Sequence, residues 1–325
     1  MISRRNVVFS LGLAIGGMAS PIARADSFPS KPIRLIIPFA SGGGIDTVMR
    51  RVSRKAEALS GITVVIENRP GAGGAIAALA AKQANPDGYT ILEADIGTFI
   101  SNASLTANPQ FDPVQDFQGI TNIYTSRSAL YVPAVSSVKS VPDLLELART
   151  KPGGLTYASQ GKGAIGHLLG SMFAKATGVP MVHVPYRGTS QATIDLVTNR
   201  VDMMFNNYGS FKSEYETGRL RALAVISKTR MDVFPGVPTM IEAGYPSVDF
   251  ESWFGLVAPA GVPKDVVQKL REIYVAAANH PDSVKWINSI GLNVQTNSSE
   301  EFSAFIKTEF VRLKQFVTET GITLD

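Results

Sequence analysis

The chain has 325 residues, 45% hydrophobic and 18% charged, with 31 Lys and Arg against 27 Asp and Glu and no cysteine. This composition argues against a disordered chain, and the missing cysteine excludes both disulfides and a lipid anchor at a leader junction. Three of the basic residues, Arg4, Arg5 and Arg24, fall in the first 25 positions with no acid among them. The remainder is close to neutral and offers nothing to nucleic acid or an anionic membrane.

Residues 1–25 read as an export leader: a basic start, an apolar stretch over 7–19, and a small-x-small site at Ala23-Arg24-Ala25 that leaves Asp26 at the mature N-terminus. Ser3-Arg4-Arg5 is compatible with twin-arginine as well as Sec export. Beyond it no apolar run approaches the ~20 residues of a membrane span. The expectation is a soluble periplasmic protein.

Strands and helices then alternate, which predicts α/β architecture with largely parallel sheets. A strand at 33–38 runs through glycines 42–44 into a helix at 46–59. A strand at 63–66, a glycine-rich turn at 70–74 and a helix at 75–84 follow, then a strand at 89–92. Residues 120–132 read as one extended segment able to cross between domains. A second series has helix 144–149, strand 155–158, helix 165–177, strand 181–184, helix 190–198 and strand 201–205. The strand at 220–226 is a candidate for the return crossing. A strand at 253–258 and amphipathic helices at 264–279 and 300–320 complete the chain. Two βα series joined by extended segments favour two domains, the second inserted into the first.

Three polar loops carry the candidate chemistry. In Phe39-Ala40-Ser41-Gly42-Gly43-Gly44-Ile45-Asp46 a strand passes into a helix through glycines. Such glycines let backbone N–H groups approach an anion at a helix start, and Asp46 could cap that helix instead; a plain tight turn is the alternative. Gly161-Lys162-Gly163-Ala164-Ile165-Gly166 spells GxGxxG between strand and helix. A dinucleotide site wants an acid about 20 residues on, where this chain has Val184-Pro185-Tyr186-Arg187. Arg187 leaves an NADP-dependent oxidoreductase open, but a carboxylate cradle is favoured. The third loop, 185–190, offers Arg187 as a carboxylate partner, Gly188, and Thr189 or Ser190 as a cap. Asn206-Asn207 closes the next strand with amide donors and acceptors, or with turn chemistry.

Catalytic groups are sparse. His167, His183 and His280 lack metal-ligand spacing, and His183 sits in an apolar strand as a packed residue. Neither GxSxG nor GxxxxGK[ST] occurs, and carboxylates are scattered singly. The inventory predicts a binder with no catalytic residue, no metal and no cofactor.

Longer strings resemble a known family. They include Lys31-Pro32-Ile33-Arg34-Leu35-Ile36-Ile37-Pro38-Phe39, Glu67-Asn68-Arg69-Pro70-Gly71-Ala72-Gly73-Gly74 and Pro86-Asp87-Gly88-Tyr89-Thr90. Tyr157-Ala158-Ser159 with Gly161, Gly163 and His167 continues them, as does His183-Val184-Pro185-Tyr186-Arg187-Gly188. Leu220-Arg221-Ala222-Leu223-Ala224-Val225, Val237-Pro238-Thr239 and Ser252-Trp253-Phe254-Gly255 with Pro259-Ala260-Gly261 complete the set. Together they resemble the solute receptors of tripartite tricarboxylate transporters, the Bug receptors. The resemblance implies a type II periplasmic-binding-protein fold with two lobes, each a mostly parallel sheet flanked by helices, and a ligand cleft between them. Lobe 1 is expected over 26–128 and 225–325, and lobe 2 over 129–224. It implies a monomer that passes its solute to a two-subunit membrane permease; a sensor accessory receptor is the other use of such a fold. It also implies that the loops 39–46 and 157–167 act as pincers on a ligand carboxylate, partly through water. Phe39, Ala40, Ser41, Gly42, Gly43, Asp46, Thr98, Ser159, Gly161, Gly163, His167, Arg187, Gly188, Asn206 and Asn207 are the expected ligand-binding residues.

Departures from the family pattern bear on specificity. Asn206-Asn207 stands where an aspartate often precedes the asparagine, which disfavours a ligand carrying an ammonium group. Lys162, Ala164 and Ile165 replace small or polar residues, with Ile165 making the pocket more apolar. Arg187 replaces a usual lysine, and Glu93-Ala94-Asp95-Ile96 replaces a more neutral stretch. The expected ligand is a di- or tricarboxylate or an aromatic carboxylate.

Overall fold

The computed structural model describes residues 28–186 and 188–321. The expected leader and Arg187 lie outside the described residues.

The first series builds β1 (Ile33–Ile37), α1 (Gly44–Ser60), β2 (Val64–Asn68), α2 (Ala75–Lys82) and β3 (Thr90–Asp95). β3 is buried throughout and β1 at every position but Arg34, as expected of strands covered on both faces. After β3 come a π-helical turn, Ile96–Ser101, and the short α3 (Asn102–Leu105). The chain then makes β4 (Phe117–Ser126), crosses at Arg127 and enters β5 (Ser128–Pro133). The second series is α4 (Val141–Thr150), β6 (Leu155–Ser159), α5 (Ile165–Thr177), β7 (Met181–Pro185), α6 (Thr189–Val197), β8 (Met203–Asn207), α7 (Tyr208–Glu216) and β9 (Leu220–Ile226). The chain returns through 227–251 to β10 (Ser252–Pro259), α8 (Lys264–Ala278), α9 (Pro281–Ser289), β11 (Asn293–Val294) and α10 (Ser299–Thr320).

Two sheets result, ordered β11-β4-β10-β3-β1-β2 and β7-β6-β8-β5-β9. Among the described residues the strand pairs β1–β2, β1–β3, β6–β7 and β6–β8 are the parallel ones. The crossing strands β4, β5, β9 and β10 pair antiparallel. The expectation of mostly parallel sheets is therefore corrected to mixed ones. Strand–helix–strand units build each parallel trio, whereas a strand arriving from the other lobe enters in the opposite sense. β9 lies wholly in the second sheet, and the chain reaches β10 of the first sheet through the stretch 227–251 that follows.

Register places the crossing at the functional edge. Ser126 opposes Ser252, Ser128 opposes both Asn207 and Ile226, and Asp95 opposes Phe254. The carboxyl ends of the parallel strands in both sheets thus face one another across Arg127, the edge where open α/β sheets bind ligands. Behind it, α10 ties the lobes together. Its early Phe302 and Ile306 join the same core as Phe173 of α5, and its late Glu319 pairs with Lys175 of α5.

Candidate functional site

Gly42 needs glycine, since its φ of +85° is left-handed. Gly43 does not: its φ is −72° and ψ 169°. A Cβ there would meet only the Ala40 carbonyl at 3.6 Å, and one on Gly44 would meet nothing within 4 Å. The space these residues face is empty, so folding alone does not require glycine at 43 or 44. Ala40, Ser41, Gly42, Gly43 and Gly44 are all exposed, and α1 begins at Gly44 with no side-chain cap.

Asp46 is buried and holds this loop from behind. Its carboxylate accepts from the Gly42 amide at 2.8 Å, Arg50 Nε at 2.9 Å and Asn68 Nδ2 at 2.8 Å. The same Asn68 amide donates to the Phe39 carbonyl at 2.9 Å, and Arg50 donates to Asn68 Oδ1 at 2.7 Å. Burial would raise the Asp46 pKa, but the Arg50 guanidinium, with the Gly42 and Asn68 donors, holds it at about 2. Asp46, expected to touch ligand, gives its carboxylate to the loop's own donors. Phe39 packs on the core and contributes its carbonyl to the same clamp.

The loop after β6 is held by uncharged groups. Ser159, fully buried, donates to the Gly161 carbonyl at 2.9 Å and accepts from the Gly161 amide at 3.2 Å. Its hydroxyl also hydrogen-bonds His183 Nε2 at 2.7 Å. The His183 ring stacks on Tyr157 at 4.9 Å and on His167 at 4.0 Å with a 10° interplanar angle. His167 Nδ1 accepts from the Gly163 amide at 3.1 Å, a bond that needs the neutral ring. Burial pushes His183 down to about 4, helped by the charges of His167 and Lys162, and burial followed by Lys162 lowers His167. Ser159 and His167, expected as ligand contacts, are thereby loop supports. Gly161 (φ +142°), Gly163 (φ +77°) and Gly188 (φ +111°) satisfy left-handed backbone. Gly166 has a packing reason, because a Cβ would lie 2.9 Å from the Phe205 carbonyl. Helices α5 and α6 have Ala164 and Gly188 at the N-cap and no side-chain cap, which corrects the expectation of Thr189 or Ser190 as the cap. Away from this edge α4, α9 and α10 are capped by Ser140, His280 and Ser298.

Neighbouring strands add side chains. Asn206 is fully buried; its Oδ1 accepts from Gln160 Nε2 at 2.8 Å and the Asn207 amide at 2.9 Å, leaving Nδ2 without a partner. Gln160 Oε1 is likewise unpartnered. Sequence reasoning missed Gln160, although its place between the end of β6 and the GxG turn was the available signal. Asn207 caps α7 through the Ser210 amide at 2.8 Å, so its side-chain oxygen does turn chemistry. Thr98 gives its hydroxyl to Asp95, which also accepts from the Gly97 amide at 2.6 Å and the Thr98 amide at 3.1 Å. Thr98 is therefore a support of the π-helical turn. Glu93 is buried with neither oxygen hydrogen-bonded. Burial, then the neighbouring Asp95, pushes its pKa well up, and burial raises Asp95 as well. Ile165, expected to make the pocket apolar, packs against the hydrophobic core instead.

Two lobes joined by crossing strands, with uncapped helix starts and glycine loops at the ends of β1 and β6, define a periplasmic-type solute-binding protein. The chain matches the tripartite tricarboxylate transporter family receptor over residues 48–322. A UPF0065 protein encoded between tcbD and tcbE in Pseudomonas sp. is 36% identical, over 98% of this chain and 95% of that protein. A Rhodopseudomonas palustris protein solved with adipate is 30% identical, with a TM-score of 0.80 over 91% of this chain and 99% of the other. MatC from the same organism, solved with bound malate, is 27% identical, with a TM-score of 0.77 over 89% and 100%. The chain belongs to the tripartite tricarboxylate transporter receptor family; it is a solute-binding receptor and not an enzyme, which removes the oxidoreductase reading of GxGxxG. No helix among the described residues is long and apolar enough to span a membrane.

Proposed function

We propose that this receptor captures a small carboxylate between its lobes in the periplasm and hands it to a two-subunit membrane permease. The observation that carries the reading is Gly43 with Gly44. Both are glycines that local packing does not demand, facing empty space at an uncapped helix start. A carboxylate needs that arrangement, since backbone N–H groups and the positive helix end act on it only at close approach. In the second lobe Asn206 Nδ2 is a buried donor awaiting an acceptor. No carboxylate at 206 or 207 is available to pair an ammonium, which favours an uncharged or purely anionic ligand body. Lobe closure about the crossing at Arg127 buries the anion and forms the surface a permease reads.

A thermal-shift screen of the mature protein against small carboxylates and NADP tests this. A carboxylate at ~100 times its Kd adds about 2.7 kcal/mol, so melting rises by several degrees while NADP does nothing. Stabilisation by NADP alone would contradict the proposal.

A further inference from the structure

Beside the glycine loop lies a cavity of ≈ 260 Å³ whose walls come from both lobes. Lobe 1 supplies Ile45 from the first turn of α1, Tyr124 from β4, Phe254 from β10, and Ile290 and Leu292 from the connection between α9 and β11. Lobe 2 supplies the start of α7 at Asn207 and Ser210. The Tyr124 and Phe254 rings stack at 4.5 Å with a 12° interplanar angle, Tyr124 buried and Phe254 partly exposed. Ile45, Phe254, Ile290 and Leu292 are each only partly buried, so apolar surface remains available to a guest.

Two features tie this space to ligand rather than to incomplete packing. Ser126 lines it, is 1% exposed and has a hydroxyl with no hydrogen-bond partner. A buried hydroxyl left unpaired is costly, and this one sits where the chain crosses between lobes. Gly44 and Ile45 belong both to the cavity wall and to the uncapped start of α1. An anion held at that helix start therefore carries the rest of its molecule past Ile45 and into the cavity. The lobes also meet at the rim: a Cβ on Gly209 would stand 2.8 Å from the Ile290 carbonyl, and one on Gly291 would stand 2.5 Å from the Tyr208 ring. The apolar chamber is complete only with the lobes together, so a guest filling it favours the closed receptor.

The geometry points to a specificity subsite for an apolar, ring-sized ligand body, so that the solute is an aromatic carboxylate rather than a polyhydroxylated or short-chain dicarboxylic acid. This rests on the receptor reading above and sharpens its ligand. The volume lies just below the usual range of small-molecule pockets, which suits one ring. The partly exposed Phe254 ring, backed by Tyr124, offers a guest ring an aromatic partner.

The test measures benzoate and succinate binding by calorimetry on the mature protein and on Ile290→Asn and Leu292→Asn. Both side chains are partly exposed, and two variants keep a readout if one fails to fold. The expected result is tighter binding of benzoate than of succinate, with at least a ~10-fold loss for benzoate in the variants and less than a ~2-fold change for succinate. Succinate binding without benzoate binding, or equal losses for both ligands, would overturn the subsite and leave the receptor reading standing. If no carboxylate binds at all, both fall.

Discussion

The two glycine loops occupy equivalent places, one at the end of β1 and one at the end of β6, yet they are braced by opposite chemistry. Residues 39–44 are held by a charged clamp, Asp46 with Arg50 and Asn68. Residues 160–166 are held by Ser159 and a neutral stack of Tyr157, His183 and His167. A charged clamp keeps its form down to the low pKa of its carboxylate. An imidazole stack keeps its form only while both rings stay neutral. Lobe 1 should therefore present its loop over the whole ordinary pH range, and lobe 2 should lose its loop in acid.

The largest effect expected from breaking this comparison is at the charged clamp. Asp46→Ala removes three hydrogen bonds to a buried carboxylate and leaves Arg50 and the Gly42 amide without it. About 3 kcal/mol of stability should go, read by urea denaturation, together with carboxylate binding. The pH dependence is next. His183 has a folded pKa near 4, below its ordinary value of 6.5. Its neutral form thus contributes stability that is full above 6.5 and is lost as pH falls toward 4. Protonating His167 also removes the acceptor of the Gly163 amide. Melting temperature and ligand affinity should both fall across that window, and His183→Asn should flatten the fall. An unchanged profile would put the pH response elsewhere.

Glu93 gives a smaller effect of opposite sign. Its folded pKa is raised above 4.5, so the folded state holds the proton more tightly than the unfolded state. Stability is then full below 4.5 and declines as pH rises above it. Glu93→Gln should raise the melting temperature at pH 8 and leave it unchanged at pH 4. Equal melting of the two proteins at pH 8 would mean that Glu93 costs the fold nothing.

How much of this was legible in the sequence differs between backbone and side chains. The glycine strings at 42–44 and 161–166 marked both loops, because left-handed backbone and close approach leave few residue choices. The helix Ile165–Thr177 and the strand Leu220–Ile226 appeared at their expected limits. Residues 120–132 were read as one extended crossing, and the structure breaks them at Arg127 between β4 and β5. Helix α7 was missed because Tyr208–Glu216 has little apolar repeat and depends on Asn207 for its cap. β3 runs on through Glu93 and Asp95, two charged residues that read as the end of a strand; raised pKa values ease their burial. Asp46, Ser159, Thr98, His167 and Asn207, expected as ligand contacts, each hydrogen-bond their own loop or turn. Residue type does not reveal whether a polar side chain turns toward the ligand or back toward its own loop. The uncapped starts of α1, α5 and α6 became visible only with the hydrogen bonds.

The central claim is that the glycine at 43 serves ligand and not fold, and Gly43→Leu tests it most directly. At a φ of −72° a side chain is tolerated and its Cβ makes only an ordinary contact with the Ala40 carbonyl, and a glycine replaced at such a position gains up to ~1 kcal/mol through the unfolded state. The account predicts a variant that melts no lower than the parent and has lost its carboxylate-induced thermal shift. A variant that unfolds, or one that binds as well as the parent, would contradict it.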